Sequence, residues 1–246
     1  MEYKRQLKRF DLMKIANLSV ILFAAPFAVS MLLNLFVLKA SFLLTNAFYW
    51  DILIIIAIYI VGLFAHEGLH ALGAILFGKC SPKDIKFGVN LKQFMLYCHA
   101  NKPMTVNAYR GLLLLPVIVT GIIPLIISTV FGNVFLLVVF SLLVSGGAGD
   151  FIMFFSLTKY KKDQLILDHP SAPAYYLYYP ADSLPDDFEE VTKEQEEELL
   201  KEMERKPGES FDGKQKNNLV KILLVLLFLA VAVMIVFGLA FFMKLF

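Results

Sequence analysis

His66 and His70 stand four residues apart with Glu67 beside the first, in the run His66-Glu67-Gly68-Leu69-His70. On a helix, residues i and i+4 share a face, so both imidazoles can point at one ion. Zinc accepts imidazole nitrogen readily, and a catalytic zinc keeps three protein ligands and one open position for water. A glutamate one residue along can reach that water and take its proton, which is the mechanical content of the H-E-x-x-H pattern. Two histidines leave the ligand set one short. Asp150, at the end of Ser145-Gly146-Gly147-Ala148-Gly149-Asp150, is the candidate third ligand. The reading is one Zn2+ held by His66, His70 and Asp150, with Glu67 as the catalytic base. His99 and His169 are next in line as third ligand. The Cys98-His99 pair rarely chelates together, because neighbouring side chains on a strand point to opposite faces, and His169 in Asp168-His169-Pro170 reads as a turn residue.

The elements that must position these groups are membrane helices. Of 246 residues, 58% are hydrophobic and 18% charged, and the mean hydropathy is +0.67; soluble domains carry about 25% charge. A bilayer core needs about 20 apolar residues in helix. Five stretches qualify: Ile15 to Leu38, Trp50 to Phe77, Leu112 to Phe131, Val134 to Leu157, and Val220 to Met243. The first is too long for a cleavable signal peptide and reads as an anchor. Residues 1–158 form the expected membrane catalytic core, residues 159–218 a loop with an acidic helix from Glu189 to Arg205, and residues 219–246 a last transmembrane helix. The acidic helix reads as a solvated surface. Residues 84–92 alternate apolar and polar, the period of a half-buried strand, and the apolar run Phe94 to Tyr97 follows a turn. The fold expected is an all-α polytopic membrane protein with five spans and a small β-hairpin-like element between spans two and three.

All Lys and Arg except Lys39 and Lys244 fall on one side of these spans. The positive-inside rule makes that side cytoplasmic, with the N-terminus inside and the C-terminus outside. The net charge of +2 offers nothing to nucleic acid. Cys80 and Cys98 face a reducing compartment as free thiols. His70 lies nine residues before Lys79, and Asp150 lies nine before Lys159. At 1.5 Å per residue both groups sit about 13 Å below the basic edge, level with each other. A carboxylate at such depth costs several kcal/mol and marks a functional site.

The His66-Glu67-Gly68-Leu69-His70 helix, Tyr97-Cys98-His99, Gly146-Gly147-Ala148-Gly149-Asp150 and Asp168-His169-Pro170 together resemble the zincin peptidases among small bacterial membrane proteins. Their arrangement is similar to that of site-2 proteases, which cut peptide bonds within the bilayer, although Phe151 stands after Asp150 where that family has glycine. The resemblance implies a bacterial cell-membrane hydrolase with a membrane protein or peptide as substrate. Two other readings are a catalytically silent zinc-site membrane protein that serves assembly or regulation, and a metal or solute transporter. A polar path across the bilayer would mark the transporter, and the third and fifth spans contain none. The substrate, its cleavage position and the oligomeric state leave no mark on the chain.

Overall fold

The computed structural model describes residues 2–38, 48–90, 95–170 and 172–204. Strand β1 (Tyr3–Arg9) precedes helix α1 (Leu12–Leu33). Asp11 starts α1 by accepting a hydrogen bond from the Met13 amide at 2.7 Å, the usual N-cap role. The helix continues as a π-helical turn to Leu38, so the first span covers Leu12–Leu38. Helix α2 (Phe48–Leu76) forms the second. Its outward face carries Leu53, Ile54, Ile60, Val61 and Phe64, all exposed. A helix that is apolar in its core and apolar outside belongs in hydrocarbon.

A β-hairpin follows, β2 (Ile85–Asn90) antiparallel to β3 (Met95–Ala100). It lies where the period-two pattern placed it. Short β4 (Met104–Thr105) leads into α3 (Val106–Pro116), where the Thr105 hydroxyl caps the Ala108 amide. Beyond Pro116 the chain makes a π-helical segment, Val117–Ile122, and then α4 (Ile123–Phe131). This third span runs Val106–Phe131, six residues longer than its hydropathy suggests, because the polar start Asn107 to Arg110 is helical too. It stops at Gly132, whose φ of 65° suits glycine. The fourth apolar stretch is not one helix. It is α5 (Val134–Gly146) and α6 (Ala148–Ser156), bent by 40° at Gly147.

Among the described residues, three helices are long and apolar enough to cross a membrane, and four spans result if the bent pair counts as one. The fifth expected span, Val220 to Met243, lies outside the described residues, as does most of the hairpin turn.

The architecture is mostly helical but not all-α. After the fourth stretch come β5 (Leu165–Asp168), β6 (Ala174–Pro180) and α7 (Lys193–Glu204). Four strands make one antiparallel sheet in the order β1-β6-β5-β4. The pairing of Leu7 with Tyr176 joins the chain start to a segment some 170 residues later. Local patterning is blind to such partners, so residues 165–180 look irregular in sequence. The sheet's apolar face packs onto the helix ends. Ile166, Leu177, Val106 and Leu157 are fully buried there, with Tyr109, Leu113 and Tyr175. Burying each large apolar side chain contributes about 1.5–3 kcal/mol.

The acidic helix is also more than a solvated face. Lys4 reaches Glu190 just before α7 at 2.9 Å, and Arg5 and Arg9 of β1 reach Glu196 and Glu198 at 3.2 and 3.4 Å. Leu199 of α7 is buried against Ala172 and Ala174. The exposed ion pairs contribute about 0–1 kcal/mol each and set orientation more than stability.

Candidate metal centre

Helix α2 delivers His66 and His70 on one buried face, each 8% exposed, with their rings 5.0 Å apart. The close approach of α3 allows this. A Cβ on Gly73 would sit 2.9 Å from the Leu112 backbone, so only glycine lets the two helices touch at that level. The contact brings the Leu112 carbonyl within 3.2 Å of His70 Nδ1. A carbonyl only accepts, so His70 carries its proton on Nδ1 and presents the Nε2 lone pair.

His66 is oriented in the same way by a different device. Its Nδ1 lies 3.2 Å from Thr120 Oγ1. That hydroxyl donates its own hydrogen to the Pro116 carbonyl at 2.7 Å, so it can only accept from His66. Thr120 sits in the π-helical segment of the third span, which turns the residue onto the metal-facing helix; single π turns often mark functional sites. His66 Nε2 is thereby left with its lone pair free.

Both lone pairs face Asp150. Oδ2 is 3.0 Å from His66 Nε2, and Oδ1 is 3.4 Å from His70 Nε2. The bend at Gly147 sets this up by placing Asp150 in the first turn of α6. Gly62 packs on Leu143, Gly73 on Leu112 and Gly147 on Val117, while Gly146 and Gly149 have no close neighbour and line the cavity.

Two imidazole lone pairs and a carboxylate repel one another unless a cation lies between them. This donor chemistry suits zinc, with each histidine's second nitrogen anchored as metal ligands require. Donor atoms of His66, Glu67 and His70 all lie within 4.8 Å of one another. His99 and His169 are placed differently. His99 spends Nδ1 on Asp168 at 3.3 Å and Nε2 on Asn101 at 2.6 Å. His169 Nδ1 accepts from the Ala172 amide at 3.1 Å.

The cavity around the cluster has a volume of about 380 Å³, and Leu96, Cys98, His99, Tyr109 and Asp168 share its lining with the metal-facing residues. The Cys98 backbone N–H donates to the Glu67 carboxylate. Backbone groups alternate direction along a strand, so Leu96, Cys98 and Ala100 direct theirs away from β2. The free edge of β3 therefore borders the site. Asp168 accepts from Tyr109 Oη at 2.8 Å as well as facing His99, which ties β3, α3 and β5 together. Burial pushes the Cys98 thiol up to about 12; both cysteines are free. Sequence reading missed Thr120 and the Tyr109–Asp168 bond. A threonine inside an apolar span was the available signal for the first, and nothing local marks the second.

The segment holding the histidine pair, the hairpin and Asp150 can be matched to known proteins. Residues 59–165 match the family described as "Putative zincin peptidase". The chain is also 31% identical over 105 residues to an "Uncharacterized 24.7 kDa protein in gap 5'region" of Pyrococcus woesei, a match that covers 42% of this chain and 46% of that protein. The chain thus spans about half the length of this curated relative. No solved structure matches it. The matched segment holds His66, Glu67, His70 and Asp150, together with β3. It excludes β1, α1, β6 and α7.

Proposed function

We propose that this protein is a zinc metallopeptidase of the site-2-protease type, set among membrane helices, that hydrolyses peptide bonds of membrane-embedded or membrane-adjacent segments. The observation that carries the reading is the pair of tautomer-fixed imidazoles and the Asp150 carboxylate converging beside Glu67 in a cavity walled by apolar spans. His66, His70 and Asp150 would hold one zinc ion, which when bound polarises the scissile carbonyl and acidifies water. Glu67 takes the proton of the attacking water and gives it to the leaving amine. Its Cys98 contact keeps the carboxylate aimed into the cavity.

A helix hides its peptide bonds, so the substrate must enter extended. The strand edge that borders Glu67 belongs to β3. The Leu96 N–H and carbonyl and the Cys98 carbonyl there are positioned to pair with an added strand. The sheet supports the sidedness. It unites the N-terminus, the segment before α3 and the segment after α6 at one end of the spans, and that end carries the excess Lys and Arg. This end is the cytoplasmic one, and water reaches the zinc from there.

The test uses full-length protein in nanodiscs with a panel of labelled membrane-spanning peptides. Wild type cleaves at least one of them, and Glu67→Ala keeps its zinc but loses cleavage. Equal cleavage by Glu67→Ala would sink the mechanism. Zinc retention with no cleavage by wild type across the panel would favour the silent metal-site protein.

A further inference from the structure

A second cavity, of about 650 Å³, lies at the basic end of the spans beside the α2–α3 contact. Leu76, Phe77, Leu114 and Phe154 form one part of its wall, and Asn107 and Arg110 form another. Nearby, the Phe77 ring lies close to Gly111, where a Cβ would meet it at 2.9 Å. Arg110 donates from Nη2 to the Leu157 carbonyl, but its buried Nε has no partner among the described residues. A guanidinium offers five N–H donors in a planar fork, and a buried one left unpaired is costly. No acidic side chain lines this cavity. A single cation in an apolar-walled space at the end of a span asks for an anion that is itself attached to hydrocarbon. Arg110 lies one turn into α3, at headgroup level rather than in the hydrocarbon centre.

We propose that this cavity seats one anionic phospholipid, with its phosphate on the Arg110 fork and its upper acyl chains against Leu76, Leu114 and Phe154. Guanidinium pairs with phosphate bidentately, and the leaflet facing the basic side of a membrane protein is the one rich in anionic lipid. The inference is independent of the peptidase reading, because neither Glu67 nor any metal-facing residue lines this cavity.

Native mass spectrometry of the full chain released from detergent reads the outcome, with phosphatidylglycerol, phosphatidylcholine and inorganic phosphate as separate probes. Wild type keeps one phosphatidylglycerol, and Arg110→Ala weakens it about tenfold or more. Leu114→Trp fills the cavity, leaves Arg110 intact and also excludes the lipid. Arg110→Lys, which keeps the charge and loses the fork, falls between wild type and Arg110→Ala. Should Arg110→Ala fail to fold, the other two variants decide. Phosphatidylcholine held as tightly as phosphatidylglycerol, inorganic phosphate competing at equal concentration, or unchanged binding by Leu114→Trp would each overturn the proposal.

Discussion

Thr120 shows how much a candidate metal site owes to a residue outside the proposed ligand set. It fixes which nitrogen of His66 is free, and it can do so only because its own hydrogen is committed to Pro116. Thr120→Val keeps the shape and removes that acceptor, so zinc affinity falls about 10–100-fold, read by competition with a chromogenic chelator. Asp150→Ala removes a donor outright, and purified protein then carries substoichiometric zinc by elemental analysis. Undiminished zinc in that variant would assign the third ligand elsewhere. The Cys98 thiol gives a pH-dependent readout. The thiolate is the species that alkylates, and a value raised to about 12 leaves the native thiol protonated at pH 8. Iodoacetamide therefore labels Cys98 far more slowly in the native protein than in denaturant, and labelling rises as pH climbs toward 12. The sign for stability follows. This contribution is fully present below the unfolded thiol value of about 8.5 and is lost as pH rises through the folded one. His66, Glu67 and His70 were legible at this scale because one helical turn holds them. That Asp150 would lie level with the histidines was legible because its depth could be counted. Thr120 was not, since a hydroxyl in a span can equally bond its own backbone, as Ser128 does to Pro124.

At the scale of elements, the site depends on where helices are interrupted. The bend at Gly147 and the π-helical turn after Pro116 each bring one side chain to the metal-facing wall. Hydropathy reads both stretches as plain spans, because an interruption in an apolar helix leaves its composition unchanged. The hairpin was readable, since alternation is a local signal. The tight α2–α3 crossing can be tested directly. Gly73→Val drives a side chain into the Leu112 backbone, which overpacks the contact at a cost of about 1–3 kcal/mol and displaces the carbonyl on His70. Lower thermal stability and lower zinc content should appear together. Gly68→Ala on the same helix, where an added Cβ meets nothing within 4 Å, should leave both unchanged.

Across the whole molecule, the first three spans were visible in composition, while the sheet was not. Its strands come from the chain start, from the segment before α3 and from beyond α6, and each is too short or too charged to announce itself alone. Leu177→Ala, at the fully buried centre of β6, should cost about 2–5 kcal/mol in a thermal melt of the detergent-solubilised protein. The pairing of β1 with β6 also has a meaning for biogenesis. During synthesis β1 cannot find its partner until Ala174 to Pro180 have been made, after the helices through α6. A nascent chain arrested earlier therefore exposes an unpaired, basic N-terminal strand. Added protease should clip β1 in chains arrested before Ala174 and spare it in chains that extend well past Pro180.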